Sequence, residues 1–157
     1  MKVQKINYIE GAWFAVPLRD GGFARGVVSR LNGEGVVLGY FFGPRLSSVE
    51  DAGRSFTPLP KDAVLCGRFG DLGLLKGDWP VLGTLSNWNR ADWPLPSFVR
   101  MVDDSTILSA YSDELRFIGE RNVPPTQVPA NACKDSVMGY GFVEIRLTKL
   151  LEPDSKR

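Results

Sequence analysis

The chain of 157 residues contains no histidine, and that gap removes more chemistry than any motif in it supplies. Without imidazole there is no Ser-His-Asp triad, no Cys-His pair and no histidine-ligated metal. Cysteine is almost as scarce, limited to Cys66 and Cys133. Two distant thiols cannot make a structural zinc site, and with no secretory leader in view they read as small buried thiols rather than as a disulfide or a nucleophile. Long apolar runs are also missing. Lys2, Lys5 and Glu10 interrupt the first hydrophobic residues, and no stretch approaches a membrane span or the centre of a signal peptide. A cytoplasmic protein with no membrane partner is expected. Nineteen basic against eighteen acidic side chains leave a net charge of +1. Direct nucleic-acid binding, which needs a concentrated basic surface, is not expected.

Motifs that cradle phosphate are absent too. The run Gly67-Arg68-Phe69-Gly70-Asp71-Leu72-Gly73 has neither the Gly-Lys-Ser/Thr ending nor the GxGxxG spacing, and reads as turns. Asp71, Asp78 and Asp92 lie near aromatic residues, but acids beside tryptophans are too common to mark a carboxylate hydrolase. The sequence predicts no catalytic residue, no cofactor and no metal.

What is present is a heavily specified sheet. Between Trp13 and Phe42 the dipeptides Asp20-Gly21 and Asn32-Gly33 separate three apolar runs, and both favour the positive φ of hairpin turns. A four-residue loop, Arg19 to Gly22, would oppose Leu18 to Phe23 and leave Pro17, which lacks an N–H, in a non-hydrogen-bonded pair. A two-residue second turn would oppose Leu31 to Glu34. On that register Phe14, Val27 and Leu38 share a core face, and Ala15, Gly26 and Gly39 form a row of small residues on the other. Such a row seats a flat ring, most simply one of the protein's own.

Further along, Gly43-Pro44 reads as the end of the third strand and Arg45 to Pro60 as a polar loop. Ala63 to Phe69, Phe98 to Val102 and Thr106 to Tyr111 read as strands, the last two joined by a turn at Asp103-Asp104-Ser105. Trp79 to Gly83 reads as a short edge segment because of Pro80, and Leu115 to Ile118 as a further short strand. Val123 to Ala132, with three prolines, reads as a strap. The last stretch fits both periods, but Val143, Leu147, Leu150 and Leu151 share a helical face and the intervening residues are good helix formers. The expected fold is mainly β (α+β): one domain over 1–157, a twisted antiparallel sheet or partly closed barrel that begins with a three-stranded meander and ends in a helix.

Two clusters suggest a binding surface. Trp79, Trp88 and Trp93, interleaved with Asn87, Asn89, Arg90 and Asp92, combine stacking faces with directional hydrogen bonds. The Trp-Pro context of Trp79 and Trp93 favours a structural reading, with rings that cover the core edge and occupy the glycine row. The second cluster is acidic: Asp103, Asp104, Asp113, Glu114 and Glu120 against Arg116 alone between 103 and 120.

These residues also carry a resemblance. Gly11-Ala12-Trp13-Phe14-Ala15-Val16-Pro17-Leu18 with Gly21-Gly22-Phe23-Ala24-Arg25-Gly26-Val27-Val28 is similar to the opening of the immunity protein 26 family of bacterial polymorphic toxin systems. Gly77-Asp78-Trp79-Pro80-Val81-Leu82-Gly83 resembles that family's Gly-x-Trp-Pro segment, Trp93-Pro94 and Phe98 extend the likeness, and Gly141-Phe142-Val143-Glu144 resembles its C-terminal stretch. The resemblance implies a non-enzymatic bacterial protein of the cytoplasm, a single immunity-protein-like domain over 1–157. It would bind and neutralise a cognate toxin domain, with nucleases as one class of target, and no cofactor or catalytic residue is implied. Oligomeric state is left open. For the toxin-binding face the sequence offers Asp103, Asp104, Asp113, Glu114 and Glu120, with Trp88 and Arg90 as the next candidates, since negative charge suits a basic nuclease cleft. The alternative from residues alone is a β-rich carbohydrate- or nucleotide-binding module using the tryptophan-rich edge.

Overall fold

The computed structural model describes residues 6–152. Three strands follow the opening hairpin signals: β1 (Ala12–Pro17), β2 (Phe23–Leu31) and β3 (Val36–Leu46). They are extended by β4 (Leu65–Gly70), β5 (Val81–Thr84) and β10 (Val137–Met138) into a six-stranded sheet of order β10-β4-β3-β2-β1-β5. A second sheet, of order β8-β7-β6-β9, contains β6 (Phe98–Val102), β7 (Ser105–Tyr111), β8 (Phe117–Val123) and β9 (Cys133–Lys134). Pairing is antiparallel except at the short β10·β4 and β6·β9 contacts. The helices are α1 (Val49–Ala52), α2 (Leu72–Lys76) and α3 (Tyr140–Leu150).

The expected meander and C-terminal helix are present, whereas the single sheet or partly closed barrel is corrected to two sheets. The larger sheet ends at β5 and β10 without closing on itself. It buries both faces, so both parities of its strands are apolar. Phe14, Val16, Val28, Phe41 and Phe69 face a core completed by Leu74, Trp79, Val143 and Leu147 from the helical side. Trp13, Val27, Leu38, Tyr40 and Phe42 face Trp93, Phe98, Leu115 and Cys133 on the side of the second sheet.

The register differs from the predicted one, with a physical cause at each hairpin. Gly21 and Gly22 both take positive φ, the chain turns one residue sooner, and the Leu18 N–H donates to the Gly22 carbonyl at 2.9 Å. Phe14 therefore faces Gly26 and Pro17 faces Phe23. Pro17 still occupies a non-hydrogen-bonded pair, one step from Leu18, by the alternation of an antiparallel ladder. At the second hairpin the Asn32 Oδ1 accepts hydrogen bonds from the N–H groups of Glu34 and Val36 at 2.7 and 3.0 Å. This enlarges the loop so that Leu31 faces Val37, and a bulge between Val28 and Arg30 shifts the ladder again. Gly26 lies between Phe14 and Phe41, and Gly39 between Val28 and Gly67, so the predicted Gly26–Gly39 row does not form. Strand β3 also continues through a cis Gly43-Pro44 bond instead of ending there.

Rings nevertheless cover both glycines. A Cβ on Gly26 would lie 2.5 Å from Cζ of Phe14, and one on Gly39 2.6 Å from Cε1 of Phe69. Trp79 closes this cluster, stacked on Phe14 with centroids 5.6 Å apart and planes 12° from parallel. Its indole N–H donates to Glu144 Oε2 at 2.8 Å, anchoring α3 over the sheet.

Candidate functional site

The acidic residues singled out in the sequence occupy two places. Asp103 and Asp104 form the exposed β6–β7 turn, and Asp113 and Glu114 the β7–β8 turn at the other end of β7. Seven residues at about 3.3 Å each separate them by roughly 23 Å. Glu120 lies opposite Ser109 on β8 and accepts a hydrogen bond from Arg100 Nη2 at 2.7 Å. Asp113 accepts from the Nε of Arg30, a buried arginine, at 2.8 Å, and Arg90 Nη1 lies 3.4 Å away. The Arg30 hydrogen bond, with the charges of Arg30 and Arg90, holds the Asp113 carboxyl below the usual range against a smaller upward push from burial.

Arg90 joins two candidates that the sequence kept apart. It pairs with Glu10 as well as with Asp113, and the Glu114 charge also acts on it. Trp88, two residues earlier, packs on Trp93 at 5.6 Å between centroids and lies against Gly11. The aromatic edge and the Asp113-Glu114 turn therefore form one surface, distinct from the Asp103-Asp104 turn.

Two half-open grooves flank this side of the molecule and meet at Leu59 and Pro60. The smaller, about 690 Å³, is lined by Trp13, Phe56, Trp88 and Trp93 with Asn87, Asn89 and Asp92. Its rings pack mostly on one another: Trp13 on Phe56 at 5.1 Å, and Trp88 on Trp93. Behind Phe56 the guanidinium of Arg25 lies 4.0 Å from the ring centroid. Burial lowers its pKa, and its Nε is buried without a hydrogen-bond partner.

The larger groove, about 1120 Å³, runs between β4, β9, α3 and the 59–64 segment. Its wall contains the Cys66–Cys133 disulfide, with Cα atoms 5.9 Å apart, which corrects the expectation of two separate buried thiols. The bond joins β4 of one sheet to β9 of the other, a juxtaposition that a sequence separation of 67 hides from a sequence reading. Apolar Leu59, Val64, Met138 and Phe142 share the lining with Lys61, Lys134 and Arg146, and among the described residues no carboxylate belongs to it.

A polar network buttresses the wall. Asp135, its carboxylate only 5% exposed, accepts from Arg68 Nη2 at 2.6 Å, Tyr111 Oη at 2.8 Å and Arg100 Nη1 at 3.3 Å. Burial alone would raise the Asp135 pKa, but the hydrogen bonds from Tyr111 and Ser109 and the guanidinium charges hold it below the ordinary value. Burial and the bond to Asp135 push the Tyr111 hydroxyl up. Arg68 also lies 4.3 Å from the Tyr111 ring centroid, so the network ties β4 to the second sheet. Among the described residues no group of three or more His, Cys, Asp or Glu side chains is arranged to hold a metal ion.

The larger groove escapes sequence reading because its cations are single residues on three distant segments and its apolar residues look like ordinary core. The available signals are Phe142 and Arg146, four apart on α3 and exposed on a face about 100° round the helix from the buried Val143 and Leu147.

Compared with known proteins, residues 9–106 match the family model described as Immunity protein 26. That segment ends at the start of β7, so it includes the aromatic core and the smaller groove but not α3. No curated protein and no solved structure matches the chain.

Proposed function

Because the chain belongs to the Immunity protein 26 family, we propose that it neutralises a cognate bacterial toxin by direct association, as a binder and not as an enzyme. The family match over residues 9–106 carries this reading. Inhibition by occlusion requires only a complementary surface, typically at least about 1,000 Å² with a few dominant anchors. The grooves, with exposed Leu59, Val64 and Phe142 beside them, supply concave apolar relief of the kind partners anchor in. The encounter is assigned to the cytoplasm, where reducing conditions would act on the Cys66–Cys133 bond.

The test is co-expression with the toxin domain encoded beside this protein's gene. Growth should be rescued, and the two proteins should purify together in fixed stoichiometry. Rescue without detectable association would overturn occlusion. A carbohydrate- or nucleotide-binding role for the tryptophan edge finds less support, because the rings of the smaller groove pack in tilted pairs on each other. Saturable quenching of tryptophan fluorescence by a sugar or nucleotide would revive it.

A further inference from the structure

We propose that the larger groove and the outer face of α3 together dock a segment of the toxin that carries carboxylates among bulky apolar side chains. This rests on the reading of the protein as a toxin binder and names the chemistry of the partner at that surface. The floor supplies half-exposed Leu59, Val64 and Phe142. Three cations, Lys61, Lys134 and Arg146, stand around it, with no carboxylate in the lining among the described residues. Asp135, next to Lys134 in sequence, turns its carboxylate away to Arg68 and Arg100. Lys61 has only a loose 3.8 Å pair with exposed Asp62. Among the described residues the side chains of Lys134 and Arg146 have no ion-pair or hydrogen-bond partner.

The surface extends past the groove. Phe142, Ile145, Arg146 and Lys149 follow the i, i+3, i+4, i+7 stripe of a helix, with Leu150 beside them, and all are exposed. Phe142, Ile145 and Leu150 are 50%, 47% and 41% exposed, while Val143 and Leu147 on the adjoining face of the helix are buried. From Phe142 to Leu150 the stripe runs on for about 12 Å at 1.5 Å per residue. Apolar contact flanked by exposed cations over that length suits a protein segment better than a small anion, and its complement is acidic and apolar.

The experiment measures affinity for the neighbouring toxin domain, comparing the parent with Lys61→Glu/Lys134→Glu/Arg146→Glu, with Phe142→Asp alone, and with Asp103→Lys/Asp104→Lys. All substituted positions are exposed, and thermal melts should stay close to the parent's. The triple variant should lose roughly 30-fold or more in affinity, largely through slower association, with the gap narrowing at about 0.5 M salt. Phe142→Asp should lose about tenfold or more, whereas the Asp103/Asp104 variant should stay within about threefold of the parent. If folded triple and Phe142→Asp variants bind as the parent does, the groove assignment is overturned while the toxin-binding reading stands. Failure of the parent itself to bind removes both. A dimer of the protein alone that the triple substitution splits would assign the groove to a second copy and also overturn the proposal.

Discussion

The two faces of the six-stranded sheet are built on different principles. On the helical face, Phe14, Phe41, Phe69 and Trp79 interlock over two glycines, and Trp79 is wholly buried. On the other, contact with the second sheet is made partly through a disulfide and a ring of charges centred on Asp135, and two grooves remain open. A face filled by rings has no room left for a partner and is specified by shape. A face joined by directional and covalent links can hold its walls apart, and that side is where a binding surface can be sustained.

The sharpest way to break this division is to empty the ring cluster. Trp79→Ala should cost about 3–5 kcal/mol in denaturant unfolding, since it removes the largest fully buried side chain and leaves Glu144 without its indole donor. A loss below about 1 kcal/mol would show that the helical face is not the principal core.

Removing the covalent link by Cys66→Ser/Cys133→Ser should cost about 2–4 kcal/mol, the usual scale for a bridge closing a long loop. Reductant should lower the melting temperature of the parent and leave the double variant unchanged. An equal response in both would mean that the two sheets do not depend on the bond.

Adding bulk is expected to do less than removing it. Gly26→Val should destabilise by about 1–3 kcal/mol, because its Cβ alone would fall within 2.5 Å of the Phe14 ring. A neutral outcome would indicate open space where the structure has packed rings.

The polar side should show itself in acid, with the smallest effect of the four. Asp135 and Asp113 both have depressed pKa values, so their stabilisation is complete above the unfolded carboxyl value, about 3.9, and is lost as pH falls through the folded values. Stability should therefore decline on acidification below about pH 4, and Asp135→Asn should flatten that limb. A variant with an unchanged acid limb would remove Asp135 from the account.

The strands at Phe98 to Val102 and Thr106 to Tyr111, the turn between them and the final helix were legible because each has its own local signal. Local signals could not set the register of the opening meander. One residue fewer in the Arg19–Gly22 loop exchanges the faces of β2, and the Asn32 side chain and the bulge at Ser29 act below the resolution of a turn dipeptide. The expectation that rings cover the glycines held although the row did not, with Phe14 and Phe41 against Gly26 and Phe69 and Phe41 against Gly39. The aromatic edge was legible as a cluster in sequence. Its contact with the Asp113 turn through Arg90 spans distant segments and was not. The larger groove was hidden for the same reason, because Lys61, Lys134 and Arg146 become neighbours only after two sheets and a helix have assembled.

The central claim is the proposal that this protein meets its toxin directly, at the larger groove and the outer face of α3. Amide hydrogen exchange of the protein alone and with the neighbouring toxin domain tests it most directly. The account predicts slowed exchange in residues 59–66, 130–138 and 140–150, with little change at the Asp103-Asp104 turn. Unchanged exchange throughout, or protection confined to that turn, would contradict it.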